Sequence, residues 1–190
     1  MRFIPLAYMN FNKNKETKGK DDLSILKISY LGTYYSNIRN IIPLYNAARE
    51  LPKLIELVIA GCTDIKLEST KNIKVLPNMT KEKVSKFEDE SDIIVCILNK
   101  SGTQIPGKLY YYAGTSKPIL VITDGEYGSE IKAYLNGFNR YLFCENNEKE
   151  IKETLLNIDK LKEYEPVECL SPSNITSILI EPQKEFNRNI

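Results

Sequence analysis

Short apolar runs alternate with amphipathic, helix-like segments along most of this 190-residue chain. Each apolar run ends at a Gly, a Pro or a polar cluster, which predicts strands at residues 25–31, 54–60, 73–76, 91–98, 118–122 and 140–144. Helices are predicted between them at residues 41–51, from Thr80, from Pro106, at 126–136, at 147–161, and after an N-cap at Ser171. This alternation predicts an α/β fold, a doubly wound, mostly parallel sheet with helices on both faces.

One polar segment sets the expected domain boundaries. Residues 10–24 are rich in Lys, Asn and Asp and show no periodicity, which is typical of a linker. We expect residues 1–24 to be the stub of a preceding domain plus this linker. Residues 25–190 are then long enough to form one domain.

Charge and hydropathy exclude several classes of function. Lys and Arg number 26 against 25 Asp and Glu, so no excess charge indicates a nucleic-acid partner. The longest apolar run falls far short of the roughly 20 residues that span a bilayer. No secretory signal follows Met1, so we expect a cytoplasmic protein. Peripheral contact with the inner membrane, made through a missing half of the protein, remains an open alternative.

The chain contains no histidine. This excludes Ser/His/Asp and Cys/His nucleophilic catalysis and histidine-based zinc sites, and we expect neither a metal nor a cofactor. The cysteines lie far apart, without a C-x-x-C pair, which indicates a reducing compartment. Cys62, Cys96 and Cys144 lie in or beside apolar runs and are expected to be buried.

Ligands of open parallel sheets bind beyond the carboxyl ends of the strands, which narrows the search to the loops at 32–39, 77–80, 99–108 and 123–128. The most informative of these is the third. Pro106 opens a helix there, so the amides of Gly107, Lys108 and Leu109 are expected to lack helical partners. These amides, the helix dipole and the Lys108 charge favour a phosphate group. The commoner alternative is a capped helix end with a solvated lysine.

Arg39 is the second cationic candidate, because it lies in the loop after the first strand and suits bidentate contact with phosphate. Its alternative is a surface ion pair. Tyr110 and Tyr111 cannot both join the buried face formed by Leu109 and Tyr112, so one of them should face the cleft or solvent. Asp124, Glu126 and Glu130 match no catalytic spacing and are expected at a solvated helix N-terminus.

Residues 105–120, IPGKLYYYAGTSKPIL, resemble the P-x-K-L-x-E-Y-x-A-x-G-K-P-I-L segment of family 4 (group 1) glycosyltransferases, which have the GT-B fold. Residues 30–40 and 75–95 resemble further segments of the C-terminal, donor-binding domain of that family, and residues 3–7 resemble the strand that leaves its N-terminal domain. The resemblance implies a Rossmann-like half of a GT-B fold.

The resemblance also implies a site and a partner. The donor would be a UDP- or GDP-sugar, with its base near residues 77–79 and its ribose near Tyr111. Arg39 and Lys108 would offset the charge that builds on the departing diphosphate. An N-terminal domain or separate subunit would bind the acceptor, so the isolated chain would be a hexosyltransferase-type domain that does not turn over. The implied substrate-binding residues are Gly32, Thr33, Pro77, Asn78, Met79, Pro106, Gly107, Leu109 and Tyr111.

Two alternatives stay open. The family carries Glu, Glu and Gly where this chain has Thr103, Tyr111 and Ser116. These differences favour a non-catalytic Rossmann-like binding module with a degenerate nucleotide site. The other alternative is a protein similar to sugar-nucleotide 2-epimerases, which the lack of histidine weakens because few candidate bases remain.

Overall fold

The computed structural model describes residues 4–8, 25–159 and 162–180. Its strands are β1 (Leu26–Leu31), β2 (Ile55–Ala60), β3 (Ile73–Leu76), β4 (Ile93–Ile97), β5 (Ile119–Thr123) and β6 (Leu142–Glu145). Its α-helices are α1 (Ile42–Arg49), α2 (Lys81–Glu90), α3 (Gly107–Tyr112), α4 (Gly128–Asn136), α5 (Glu148–Asn157) and α6 (Pro172–Ile180), with a short 3₁₀ helix at Glu168–Leu170. None of the described helices is long and apolar enough to cross a membrane.

The strands form one parallel, six-stranded sheet in the order β3-β2-β1-β4-β5-β6. The predicted α/β doubly wound fold is therefore confirmed. The order reverses between β1 and β4, which makes their carboxyl ends the topological switch point of the sheet. Helix α6 begins at Pro172 after Ser171, as expected, and the Ser171 hydroxyl accepts from the Asn174 amide at 3.2 Å. Helix α5 ends at Asn157, earlier than predicted.

Helices cover both faces of the sheet, and β4 shows why its sequence is continuously apolar. Ile93, Val95 and Ile97 point into the core on the side of α1 and α5. Ile94 and Cys96 point into the core on the side of α3 and α4. Successive side chains of a strand face opposite ways, so a central strand between two helical layers needs apolar residues at every position.

A third, smaller core joins the two ends of the described chain. Ile4, Ala7 and Tyr8 pack against a cluster formed by α3, the 3₁₀ helix and α6. The Tyr8 amide also donates to the Leu170 carbonyl at 3.0 Å. The expected linker at residues 10–24 lies outside the described residues, and the division at residue 24 stays a prediction.

The expectation that three cysteines are buried is wrong for one of them. Cys96 and Cys144 are buried, as expected, whereas Cys62 is exposed. The reason is its position after Gly61, because β2 ends at Ala60 and the chain has already left the core.

Lys117 fixes the end of α2 at the amino edge of the sheet. Its ammonium donates to the main-chain carbonyls of Glu88, Asp89 and Ser91, each at 2.6 Å. The last carbonyls of a helix have no partner within the helix, and they lie at the negative end of its dipole. A lysine from the loop before β5 therefore satisfies the helix end and ties α2 to the start of β5.

We expect Lys117→Met to lower the free energy of unfolding by about 2 kcal/mol, because hydrogen bonds to a charged donor are lost while the carbonyls stay partly buried. Lys86→Met is the matched control, since the Lys86 side chain is 74% exposed and its Glu90 partner lies at 3.9 Å. The control should change stability by less than about 0.5 kcal/mol. Urea unfolding measures both, and equal effects would contradict the capping role.

Candidate functional site

The loops that follow β1 and β4 lie side by side at the switch point. The two strands pair in parallel, with Ile28 opposite Ile93 and Ser29 opposite Ile94, so they end at the same edge of the sheet. The loop at residues 32–41 leads into α1, and the loop at residues 98–106 leads into α3. Two of the four loops singled out from the sequence thus meet where open α/β sheets bind ligands.

The loop after β1 is held in a fixed shape by its own groups. The Tyr34 side chain is buried, and its amide donates to the Cys62 carbonyl at 3.0 Å. A Cβ on Gly61 would lie 2.0 Å from the Gly32 carbonyl oxygen, so only glycine lets the two loops come this close. The main chain at Gly32 is therefore set by the neighbouring strand end.

Arg39 folds back over this loop. Its Nη1 donates to the Thr33 carbonyl at 2.8 Å, and the Tyr30 hydroxyl donates to the same oxygen at 2.9 Å. Burial raises the pKa of Tyr30 to about 12, although the nearby Arg39 guanidinium acts in the opposite direction. The positive charge of Arg39 thus sits beside the carboxyl end of β1.

Lys108 reaches the same place from α3. Its ammonium donates to the Leu31 carbonyl, the last residue of β1, and lies 3.3 Å from the Tyr112 hydroxyl oxygen. The ammonium also lies 5.8 Å from the centre of the Tyr112 ring. Much of the Lys108 side chain is exposed, but its charged end is directed under the loop after β1.

The two cations are close enough to affect each other. Burial of the ammonium lowers the pKa of Lys108, Glu88 and Cys96 act to raise it, and Arg39 lowers it further. Burial raises the pKa of the Cys96 thiol to about 12, with Lys108 and Arg39 acting against it. The sequence-predicted cations Arg39 and Lys108 therefore both lie at the carboxyl end of β1, where their hydrogen-bond partners are the Thr33 and Leu31 carbonyls.

The expectation of three free amides at the start of α3 is wrong for Leu109. Its amide donates to the Pro106 carbonyl at 2.9 Å, because this short helix opens with a tight, 3₁₀-like turn. Its side chain is fully buried. A Cβ on Gly107 would lie 3.3 Å from Leu6 Cδ1, so the segment at residues 4–8 covers one side of this helix end. Two amides, those of Gly107 and Lys108, stay as candidates.

The tyrosine run divides as its helical spacing predicts. Tyr110 and Tyr112 are buried, and Tyr111 is the partly exposed one. The Tyr111 ring meets the Tyr112 ring edge-on at 5.3 Å. Partial burial raises the pKa of Tyr111, so its phenol is a neutral donor at physiological pH. Its assignment to the ribose stays a prediction.

The remaining residues to which the family resemblance assigns a role do not lie beside Arg39 and Lys108. Pro77, Asn78 and Met79 follow β3, and β2 lies between that edge strand and β1. Two strand spacings, about 10 Å, therefore separate this loop from the Arg39 loop. Thr103 is exposed in the loop after β4, whereas Ser116 precedes β5 at the opposite edge of the sheet.

The fourth predicted loop, after β5, forms a neighbouring cavity of about 310 Å³ between the starts of α4 and α5. Asp124 accepts from the Gly125 amide at 2.8 Å and from Asn146 Nδ2 at 2.7 Å, and Asn146 also donates to the Asn40 carbonyl at 2.9 Å. Asp124 therefore ties loops together. In the described ranges no three His, Cys, Asp or Glu side chains are grouped to hold a metal ion.

Sequence reasoning missed Glu88, which is 7% exposed on α2. Its Oε1 accepts from the Tyr112 hydroxyl at 2.5 Å, one contact away from Lys108. The available signal was its spacing, because Glu88 lies four residues after Val84 on the inward face of α2. An acid at a core position of an amphipathic helix indicates a specific partner.

Among the solved structures that match this chain, two illustrate the shared fold. A protein from Listeria monocytogenes assigned as a UDP-N-acetylglucosamine 2-epimerase has a TM-score of 0.50 and 15% identity over 83% of this chain and 46% of its own. AviGT4, a glycosyltransferase involved in avilamycin A biosynthesis, has a TM-score of 0.51 and 11% identity over 88% of this chain and 51% of its own. No protein-family model and no curated protein matches the sequence.

These comparisons define the fold class. The six-stranded parallel sheet is a Rossmann-like half of a GT-B fold, as the sequence resemblance implies. The chain spans about half the length of the two solved structures that it matches. At such low identity the likeness concerns the fold, and any function has to be argued from the site.

The loops after β4 and β5 approach each other closely, and we expect this contact to contribute to the free energy of unfolding. Gly125 has a φ of +74°, and a Cβ there would lie 2.2 Å from the Lys100 carbonyl oxygen; Gly102 has a φ of +75° with no atom within 4 Å. Gly102→Ala should destabilise by about 1 kcal/mol through backbone strain alone. We expect Gly125→Ala to destabilise by about 1–3 kcal/mol more in urea unfolding, because it adds a clash. Equal losses would show that the loops separate freely.

Proposed function

We propose that this chain is the donor-binding domain of a glycosyltransferase and that it binds a nucleotide-diphosphate sugar at the switch point. The observation that carries the proposal is that Arg39, from the loop after β1, and Lys108, from α3, both donate to main-chain carbonyls at the carboxyl end of β1. Two positive charges brought together at this edge repel each other. An anionic ligand such as a diphosphate would relieve that repulsion.

The proposed mechanism is electrostatic stabilisation of the leaving group. As the bond from the sugar to the diphosphate breaks, negative charge builds on the diphosphate oxygens, and preorganised cations lower the barrier. An ammonium has three N–H donors, so Lys108 keeps donor capacity beyond the Leu31 and Tyr112 contacts. A guanidinium has five N–H donors, so Arg39 also has donor capacity beyond its contact with the Thr33 carbonyl.

Transfer would require a second domain. The chain spans about half of each matched structure, so the acceptor site is expected on an N-terminal domain or on a separate subunit. The base would lie near Pro77, Asn78 and Met79 and the diphosphate near Gly32 and Thr33. The isolated chain is then a hexosyltransferase-type domain that binds donor without turnover.

One observation favours a second candidate, a non-catalytic binding module. Arg39 and Lys108 already donate to the Thr33 and Leu31 carbonyls, which is what purely structural cations would do. Tyr111 also offers a phenol where the family has a carboxylate that accepts from both ribose hydroxyls. The two candidates differ in one measurable property, which is saturable nucleotide binding.

Isothermal titration with UDP, GDP and their sugars tests the donor site. We expect saturable binding of at least one nucleotide diphosphate, weakened about tenfold to a hundredfold by Arg39→Ala and by Lys108→Ala, because each removes a charged hydrogen-bond donor. Lys53→Ala is the control, since Lys53 is exposed before β2, at the amino edge.

Other outcomes identify the alternatives. If no nucleotide of the panel binds, and a cooperative unfolding transition shows that the protein is folded, the result would favour the binding module. Interconversion of UDP-sugar epimers by the isolated chain would favour the 2-epimerase-like reaction instead. Equal loss of affinity in Lys53→Ala and Lys108→Ala would indicate non-specific charge attraction and contradict the site.

The ribose assignment predicts a gain of function. Tyr111→Glu should tighten binding of the best nucleotide by about tenfold, since a carboxylate accepts strongly from two hydroxyls. Tyr111→Gln is the control, because it has the same length without the charge and removes the same contact with the Tyr112 ring. The gain should also vanish for the 2′,3′-dideoxynucleotide. Equal affinities of the two variants would place the ribose elsewhere.

A further inference from the structure

Glu88 occupies an unfavourable position for an acid. It is 7% exposed and lies in the last turn of α2, where the helix dipole is negative. Burial of a carboxylate costs free energy unless hydrogen bonds and an opposite charge compensate. Nothing in the amphipathic pattern of α2 requires an acid here, because Val84 and Phe87 are already its partly buried apolar residues.

The compensation comes from α3. The Tyr112 hydroxyl donates to Glu88 Oε1 at 2.5 Å, and the Lys108 ammonium lies 3.3 Å from the same hydroxyl oxygen. Lys108 and Tyr112 are four residues apart, so they share one face of the helix. The buried carboxylate, the phenol and the ammonium thus form a chain of hydrogen bonds that ends at the Leu31 carbonyl.

We propose that Glu88 is a positioning residue that, through the Tyr112 hydroxyl, keeps the Lys108 ammonium charged and directed at the carboxyl end of β1. Glu88 does not contact the ligand in this proposal, because Tyr112 covers its carboxylate. This supplies a function for a buried acid near the site, and that acid comes from a helix that the family motif around Lys108 does not include.

The charges around Lys108 determine in which direction the loss of Glu88 should shift the pKa of Lys108. Glu88 on α2 raises the pKa of Lys108, Arg39 from the loop after β1 lowers it, and Cys96 on β4 raises it. Burial is the largest influence and lowers the pKa. Tyr112, the group from α3 itself, stays a neutral phenol because burial strongly raises its own pKa. Removal of Glu88 therefore leaves a buried ammonium opposed by Arg39.

The first test uses the protein without ligand. Competitive acetylation with acetic anhydride across pH, read at Lys108 by peptide mass spectrometry, reports the midpoint at which the amine becomes reactive. Glu88→Gln should lower this midpoint by about one pH unit, which gives about a tenfold rise in reactivity at a fixed pH below both midpoints, because a neutral amide no longer favours the ammonium. Glu90→Gln is the control, since Glu90 is 52% exposed on the same helix turn. An unchanged midpoint in Glu88→Gln would overturn the proposal.

The second test rests on the proposed function and uses UDP as the probe. UDP affinity should fall as the pH rises, and in Glu88→Gln this fall should begin about one pH unit lower than in the unsubstituted protein. At pH 6 the two proteins should bind UDP alike. If the unsubstituted protein does not bind UDP, the donor site fails while the acetylation result still decides the role of Glu88. A pH-independent loss of affinity in Glu88→Gln would contradict the role in holding the charge.

A double variant separates pairing from general packing. If the buried Glu88 carboxylate is stabilised by Lys108, Glu88→Gln and Lys108→Met should each lower the denaturation midpoint. The double variant should recover much of this loss. Additive losses would overturn the pairing. This readout also holds if Glu88→Gln alone fails to fold, since rescue by Lys108→Met then supports the proposal and continued failure contradicts it.

Discussion

The parallel pairing of β1 with β4 is the constraint on which the rest of the molecule depends. β4 is buried on both faces, so its position is fixed by apolar packing against two helical layers. Because strand order reverses at this pair, the loops after both strands open at one edge, and any charge they carry must share that edge. Arg39 and Lys108 are neighbours for this reason, although 69 residues separate them in the sequence.

Bringing like charges together requires compensation, and the protein provides it in two ways. Main-chain carbonyls of Leu31 and Thr33 accept from the two cations. Glu88 places a negative charge behind Lys108 through Tyr112. Close approach at Gly61 holds the Gly32 main chain, which flanks both carbonyls. The site is thus built as a compensated cation pair, and an incoming anion would compete with the protein's own acceptors.

The sequence predicts the frame of this fold better than its contacts. Strands were located within two residues because apolar runs and their terminating residues are local signals. Pro106 likewise located the start of α3, but its short 3₁₀-like turn removed Leu109 from the expected set of free amides. The partnership of Glu88 with Tyr112 depends on how α2 and α3 pack, and no local pattern encodes the pairing of two helices. The prediction that Cys62 is buried is wrong because the strand ends two residues before it.

The half-fold itself does not choose between transfer, epimerisation and binding, since proteins assigned to the first two classes share it. The distinction must come from which groups face the diphosphate. Epimerisation needs a base that removes a proton from carbon, and the chain offers no histidine for that task. Leaving-group stabilisation needs only fixed positive charge, which Arg39 and Lys108 provide. The roles proposed for Arg39, Lys108 and Glu88 all concern a maintained positive charge, and such a charge fits leaving-group stabilisation better than proton removal from carbon.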